Sequence, residues 1–220
     1  MSRNDSELLK YYRNRAPEYE QIYYRDVPQR QAELAAEADR LQQLVAGKTV
    51  LDLACGTGYW LQRMSQTAAG IVAADISPEM IREARRKSYG CAVDFVRADL
   101  NQVPLAGRGF DVVALGFWFS HHPLQDYDRL FDTIKELSAP HGVIWMIDNN
   151  PPAEGLSHNS VGTDTHGNNL IKRRLDSGRE YLILKNYFDE AQLRTLFAEH
   201  FRIERLTYGI CYWSVVLGSK

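Results

Sequence analysis

The chain is 220 residues long, enough for one hydrophobic core with a small appendage and short of two full domains. Hydrophobic residues make up 45% and charged residues 25%, the balance of a folded globular protein, which excludes a wholly disordered chain. Lys plus Arg total 26 against 28 Asp plus Glu, a net charge of -2, so no global positive field draws the chain onto nucleic acid or anionic lipid. The longest apolar run, residues 112–119, is far short of a membrane span, and the amino terminus has no apolar stretch of signal-peptide length, so a cytoplasmic protein is expected. Cys55, Cys91 and Cys211 are odd in number, widely spaced and without a C-x-x-C pair, the usage of reduced thiols rather than of a disulfide framework.

In chain order, residues 1–30 gather Tyr11, Tyr12, Tyr19, Tyr23 and Tyr24 amid mixed charge. Leu34, Ala38, Leu41 and Val45 then recur at helical spacing, predicting an amphipathic helix over 29–46 that Gly47 stops. A strand at 49–54 runs into a glycine turn, and helical spacing through Leu61 and Met64 leads to a second strand at 71–74, a βαβ unit. Ser77 and Pro78 suit an N-cap and first helical position for a helix to about residue 88, followed by a third strand at 93–96. Strands at 110–115 and 143–147 flank a helix near 126–138. Strands alternating with helices, several apolar on both faces, predict an α/β fold with a parallel sheet covered on both sides.

Residues 149–170 lose the apolar pattern and read as a long loop, a candidate lid. Segments 171–175 and 180–188 flank Asp176, Ser177, Gly178 and Arg179 and predict a hairpin. Alternation puts Tyr181, Ile183 and Lys185 on one hairpin face and Leu182 and Leu184 on the other; leucines turned to the core would send Lys185 to solvent or to a ligand. Asp189 caps a helix to about residue 200, and strands at 201–207 and 211–217 close the chain.

The strongest local signal is VLDLACGTGYW at 50–60, a strand running straight into a glycine turn that opens a helix. Gly56 and Gly58 let the backbone approach a ligand at the carboxyl edge of the sheet, and Asp75, ending the second strand, can accept hydrogen bonds from both hydroxyls of a ribose. A dinucleotide turn needs a third glycine, where this chain has Tyr59, Trp60 and Leu61, which disfavours a nicotinamide oxidoreductase. An adenosine without phosphate, joined to a charged amino acid, suits the turn better, with Asp52 placed for the amino end. These residues resemble the class I S-adenosylmethionine (SAM)-dependent methyltransferases over 49–148, written here as LDLACGTGYW, VAADIS around Asp75 and VRADLN around Asp99. Ala54 stands where many members carry glycine.

The resemblance implies a Rossmann-like doubly wound sheet, mostly parallel with an antiparallel final strand, plus an amino-terminal helical lid and an inserted β-hairpin. It implies one domain, divided into a lid (1–46), a SAM-binding core (47–148), a lid loop and hairpin (149–188) and a closing helix and strands (189–220). It also implies cofactor contacts from Tyr12, Tyr19, Ala54, Tyr59, Ile76, Met80, Asp99, Leu100, Gly116 and Phe117, with S-adenosylhomocysteine (SAH) as product. Packing competes with ligand contact at Met80 and at the tyrosines.

For the methyl acceptor, the D/N-P-P-Y/F pattern of base-modifying enzymes is missing after strand four, where Gly116-Phe117-Trp118-Phe119 stands; Asn150-Pro151-Pro152-Ala153 reads as a turn. No nucleic-acid or membrane partner is expected, and no His, Asp and Glu cluster has metal-ligand spacing. Between residues 171 and 185, Lys172, Arg173, Arg174, Arg179 and Lys185 outnumber Asp176 and Glu180, a local basic site for an anion or a solvated hairpin face. The features Y-Y-R-x-R-A-x-E-Y at 11–19, Trp118-x-Ser120-His121, Arg173-Arg174, Gly178-Arg179 and Lys185 are similar to a narrower group, the phosphonate O-methyltransferases typified by that of dehydrophos biosynthesis. That likeness implies a small, anionic acceptor bound by Tyr11, Trp118, His121, Arg173, Arg174 and Lys185. His121 is the candidate catalytic residue, as base or hydrogen-bond donor. Competing expectations are an N-methyltransferase of a small amine using a His base and a SAM-binding regulatory protein without turnover.

Overall fold

The computed structural model describes residues 3–24, 27–100, 103–105, 107–152 and 159–220, with side chains from residue 7 onward. Helices α1 (Arg3–Arg15) and α2 (Pro28–Val45) precede β1 (Thr49–Asp52), α3 (Tyr59–Met64), β2 (Gly70–Asp75), α4 (Pro78–Ala84), β3 (Val93–Arg97) and β4 (Phe110–Gly116). Then follow α5 (Tyr127–Leu137), β5 (Ser138–Asn149), β6 (Ser160–Thr163), β7 (Asn169–Arg174), β8 (Glu180–Leu184), α6 (Glu190–His200), β9 (Arg202–Tyr208) and β10 (Tyr212–Gly218).

Seven strands form one sheet in the order β3-β2-β1-β4-β5-β10-β9, parallel throughout except that β10 runs antiparallel to both β5 and β9. Alternate residues enter opposite cores. Val50, Val112 and Ala114 pack with Leu34, Leu41, Trp60 and Met64 from α2 and α3. Leu51, Val113 and Leu115 pack with Leu130, Phe131, Ile134, Leu193 and Phe197 from α5 and α6. Each such side chain removed from water contributes roughly 1.5–3 kcal/mol before entropy is counted, which fixes the strand register firmly. Strand order reverses between β1 and β4, so their carboxyl ends open a crevice where α/β sheets bind ligands. No helix among the described residues is long and apolar enough to cross a membrane.

One expectation needs correction. The loop over 149–170 is not wholly irregular: β6 lies within it and pairs with β7, so the expected hairpin, β7–β8, gains a third strand and the insert is a three-stranded antiparallel sheet, β6-β7-β8. Residues 153–158 of the proposed lid loop lie outside the described residues. On β8, Tyr181 and Ile183 turn inward, buried with Tyr11, Ile171 and Leu175, while Leu182 is 43% exposed and Leu184, at the strand end, is buried. The reason is α1, which lies against this sheet and sets the Tyr11 ring edge-on to Tyr181 at 5.6 Å.

Candidate active site

The chain leaving β1 is tied down from three sides. Leu53 N–H donates to Ala114 C=O and Cys55 N–H to Ala74 C=O, each at 3.0 Å, and Gly56 N–H donates to Asp75 Oδ2 at 2.9 Å. Gly56 sits at φ +54, where a side chain would strain the turn. The other carboxylate oxygen of Asp75 accepts Ser77 N–H at 2.8 Å, and Ser77 Oγ accepts Met80 N–H at 3.3 Å to cap α4. Burial pushes the Asp75 carboxyl up to about 6 against the pull of its backbone donors. Asp52, beneath the turn, is pushed up to about 7 by burial, with the Asp75 charge adding to it.

Above this turn lies a cavity of 510 Å³, lined by Ala54, Gly56, Asp75, Ile76, Met80, Asp99, Leu100, Gly116 and Phe117, and roofed in part by Tyr12 and Tyr19. Three residues assigned to the cofactor do not line it. Asp52 is buried under the turn, and Gly58, at φ +86, faces α4: a Cβ there would stand 2.6 Å from Tyr89 Oη. Tyr59 stacks flat on Tyr23 at 3.7 Å with the Arg63 guanidinium over its ring at 3.4 Å, so it packs the amino-terminal segment onto α3. Gly116 is needed for a second reason, since a Cβ would approach Trp60 Cδ1 to 2.4 Å.

A second cavity, 390 Å³, opens beside the first, and Tyr12, Tyr19, Phe117 and His121 line both. Phe117 holds a left-handed backbone at φ +58, a strained conformation for a side-chain-bearing residue, at this junction. Of the residues assigned to the acceptor, Tyr11, His121, Arg173 and Lys185 line the second cavity. Trp118 lines the first instead, and Arg174 is exposed near the hairpin turn and lines neither.

His121 Nδ1 lies 2.7 Å from the Leu184 carbonyl, which can only accept, so Nδ1 carries the proton and Nε2 receives the Tyr12 O–H at 2.8 Å. Burial, reinforced by the Lys185 charge, pushes His121 down to about 3, so the ring stays neutral. In this state it orients Tyr12 rather than acting as a free base. Lys185 is likewise committed: its ammonium donates to Asp148 Oδ1 at 2.9 Å and Ser120 Oγ at 2.6 Å. Burial, the largest single influence, would raise the Asp148 carboxyl; the Lys185 charge together with the hydrogen bonds from Ser120 and Lys185 and the His121 ring outweighs it, holding the group down to about 2. A free histidine at the junction would give a rate limb near its usual pKa. Held as it is, His121→Gln should lower kcat without changing the shape of the kcat–pH profile between about pH 6 and 8. A limb present in the wild type and lost in the variant would return His121 to the role of base.

The sequence reading missed Arg15 and Arg30, which line the second cavity, and Asp148, whose charge Lys185 answers. Arg15 lies within the Y-Y-R-x-R-A motif but carried no sign of its aim; its guanidinium donates to Tyr11 Oη. Nothing local marks Arg30, which reaches the cavity only because α2 docks on the β9–β10 turn through Glu33.

The "Methyltransferase domain" family pattern matches residues 50–142. A demethylmenaquinone methyltransferase of Thermus thermophilus is 34% identical over 114 residues, 50% of this chain and 51% of that protein. A malonyl-[acyl-carrier protein] O-methyltransferase of Enterobacter lignolyticus is 30% identical over 135 residues, 58% of this chain and 51% of its own. The chain spans about half the length of these curated relatives. Over its full length it superposes on a complex of DhpI with SAH at TM-score 0.77 and 28% identity, covering 100% of this chain and 98% of that one. A cavity floored by a glycine turn with a ribose-type carboxylate, Asp75, and apolar walls at Ile76, Met80 and Leu100 fits SAM. Residues 50–142 thus carry the methyltransferase-domain pattern, on a fold shared over the whole chain with an SAH-bound structure.

Proposed function

We propose that the chain moves the SAM methyl group onto an oxygen of a small anionic metabolite held in the second cavity. The observation carrying this reading is charge: Arg15, Arg30, Arg173 and Lys185 line that cavity, and no Asp or Glu does among the described residues. Lys185 is neutralised by Asp148, which leaves the three arginines as the positive field.

In this reading Asp75 takes the ribose hydroxyls, Asp99 and the apolar residues Ile76, Met80 and Leu100 flank the adenine, and Tyr12, Tyr19, Ala54, Gly116 and Phe117 surround the amino-acid end. The cofactor, when bound, supplies an electrophilic methyl group on a positive sulfur. Tyr12, Tyr19, Phe117 and His121 enclose the passage between the cavities and exclude water from it. An acceptor oxygen already ionised has its lone pair ready. The new carbon–oxygen bond then forms as the sulfur–methyl bond breaks, the electron pair stays on sulfur, and no proton needs a base. His121, neutral and bonded through Nε2, fits this better than a base-driven N-methylation. Residues 1–46 act as the lid, 47–148 as the cofactor core, 149–188 as the acceptor wall and 189–220 as the closing layer of one domain.

Arg173→Ala should raise the acceptor KM at least about tenfold, the loss of a charge-assisted hydrogen bond, in an assay of SAH release against small phosphonates and carboxylates. An unchanged KM would overturn the reading. The names of curated relatives, demethylmenaquinone methyltransferases and a ubiquinone/menaquinone biosynthesis C-methyltransferase, favour a second reading, carbon methylation of a quinol, and the ring-rich wall of Tyr19, Tyr23, Phe117 and Tyr212 would accommodate one. Mass analysis of product from a quinol and from an anionic acceptor separates the two.

A further inference from the structure

One wall of the second cavity is built by the first turn of α2, the segment after β5 and the β9–β10 turn. Glu33 holds that wall together: its carboxylate accepts the backbone N–H of Ile210 at 3.0 Å and of Cys211 and Tyr212 at 3.1 Å. Arg30, one turn earlier on α2, therefore has a fixed seat, its guanidinium over the Tyr212 ring at 4.9 Å. It has no carboxylate at ion-pair distance among the described residues, and its Nε is buried with no hydrogen-bond partner.

Beside it, Asn150 is 7% exposed and pinned to the same turn: its N–H donates to Cys211 C=O at 2.9 Å and its Nδ2 to Gly209 C=O at 2.6 Å. Its Oδ1 is buried and unpartnered. One wall of the acceptor cavity thus holds an unused cationic donor and an unused amide acceptor, joined through Cys211 and Tyr212. Buried polar atoms left without partners are costly, and a bound group relieves that cost if it offers both complements. A guanidinium matches a carboxylate, and an amide oxygen matches an N–H or O–H. A carboxylate with an amino or hydroxyl group on the adjoining carbon carries both within one compact unit.

We infer that the methyl acceptor is bifunctional, with an α-amino or α-hydroxy carboxylate held by Arg30 and Asn150 at the end remote from the oxygen that is methylated; this rests on the anionic-acceptor reading. Cavity volume supports an acceptor of this size: 390 Å³ admits a small metabolite and not a large macromolecular surface.

The test compares matched acceptors by SAH release with the full chain: propylphosphonate against 2-amino-4-phosphonobutyrate, and butanoate against glutamate. Each pair differs only in the remote amino acid group, and the two pairs distinguish phosphonate from carboxylate as the methylated end. The bifunctional member of the working pair should have a KM lower by about tenfold or more. Arg30→Gln should collapse that preference to about threefold or less, and Arg30→Lys, which keeps the charge, should restore part of it. Equal KM values within a pair in the wild type, or a preference that survives Arg30→Gln, would overturn the inference and leave the anionic-acceptor reading standing. Turnover of none of the four would overturn both. The wild-type comparison decides the matter even if a variant fails to fold.

Discussion

Lys185→Met should destabilise the fold by about 3–5 kcal/mol, the cost of leaving a buried carboxylate without its counter-charge. Asp148 is 0% exposed and Lys185 5%, and beyond the ammonium the donors to Asp148 among the described residues are neutral: Ser120 N–H at 2.9 Å, Asn149 N–H at 2.7 Å and Asn149 Nδ2 at 3.0 Å. For a chain of this size the loss corresponds to roughly a 10 °C drop in Tm. The sign with pH follows from the Asp148 value near 2, below the ordinary 3.8: the pair's contribution is present above the ordinary value and is lost as pH falls through about 2. In Lys185→Met the carboxyl loses the charge that held it down, so the variant should recover part of its deficit on mild acidification. Removing both charges, as in Lys185→Met with Asp148→Leu, should recover most of the stability, because paired burial is close to neutral against apolar packing. A single variant as stable as the wild type in thermal melts would show that water reaches Asp148. The consequence for function is that Lys185 shapes the wall between β5 and β8, and arginines carry the field an anion would feel.

The βαβ core was legible because its signals are local. Strands such as Val50–Leu51 and Val112–Val113 are buried on both faces, and the N-cap at Ser77 and the capping box at Asp189 with Gln192 mark helix starts by residue type. Boundaries erred where tertiary contacts decide them. The helix opened by Ser77 ends at Ala84, and β5 begins at Ser138, directly after α5, through an irregular pairing with Phe110. The inward face of β8 stays open in the sequence for the same reason: alternation is visible there, but which face turns inward depends on α1, nearly the whole chain away, whose Tyr11 covers Tyr181 and Ile183.

The site divides along the same line. The residues of the glycine turn and the ends of β2, β3 and β4 converge on one cavity because each follows its own strand to a common sheet edge. Gly58 shows the limit of motif reasoning: its left-handed backbone is a turn requirement and its missing side chain is room for Tyr89, neither of which names a ligand. Arg30 and Asn150 were invisible as a pair, since only the clamp of Glu33 on the β9–β10 turn brings α2 to the segment after β5. Lys185 was legible as a cation, but its neutralisation by Asp148 was not, because that pairing crosses from β8 to β5.

Asp75→Asn should weaken SAH binding by about ten- to a hundredfold, the worth of hydrogen bonds to a charged acceptor. The carboxylate already accepts Gly56 N–H on one oxygen and Ser77 N–H on the other, leaving a lone pair on each for a ribose hydroxyl. An amide must turn its NH2 toward one of those backbone donors, so the variant loosens either the glycine turn or the start of α4. The wild type supplies its own control through pH. Burial raises Asp75 from the ordinary 3.8 to about 6, so its contribution to the stability of the ligand-free fold is fully present below the ordinary value and is lost as pH rises through about 6. Asp52, raised to about 7, adds a loss in the same direction slightly higher. A ligand whose hydroxyls donate to Asp75 favours the ionised form. Its affinity should therefore fall as pH drops through about 6, and binding near that pH should release a proton. Calorimetry in two buffers of different ionisation enthalpy measures that proton directly. In Asp75→Asn the proton release and this pH dependence should both disappear. Proton uptake by the wild type, or an unchanged release in the variant, would place the ribose elsewhere than on Asp75.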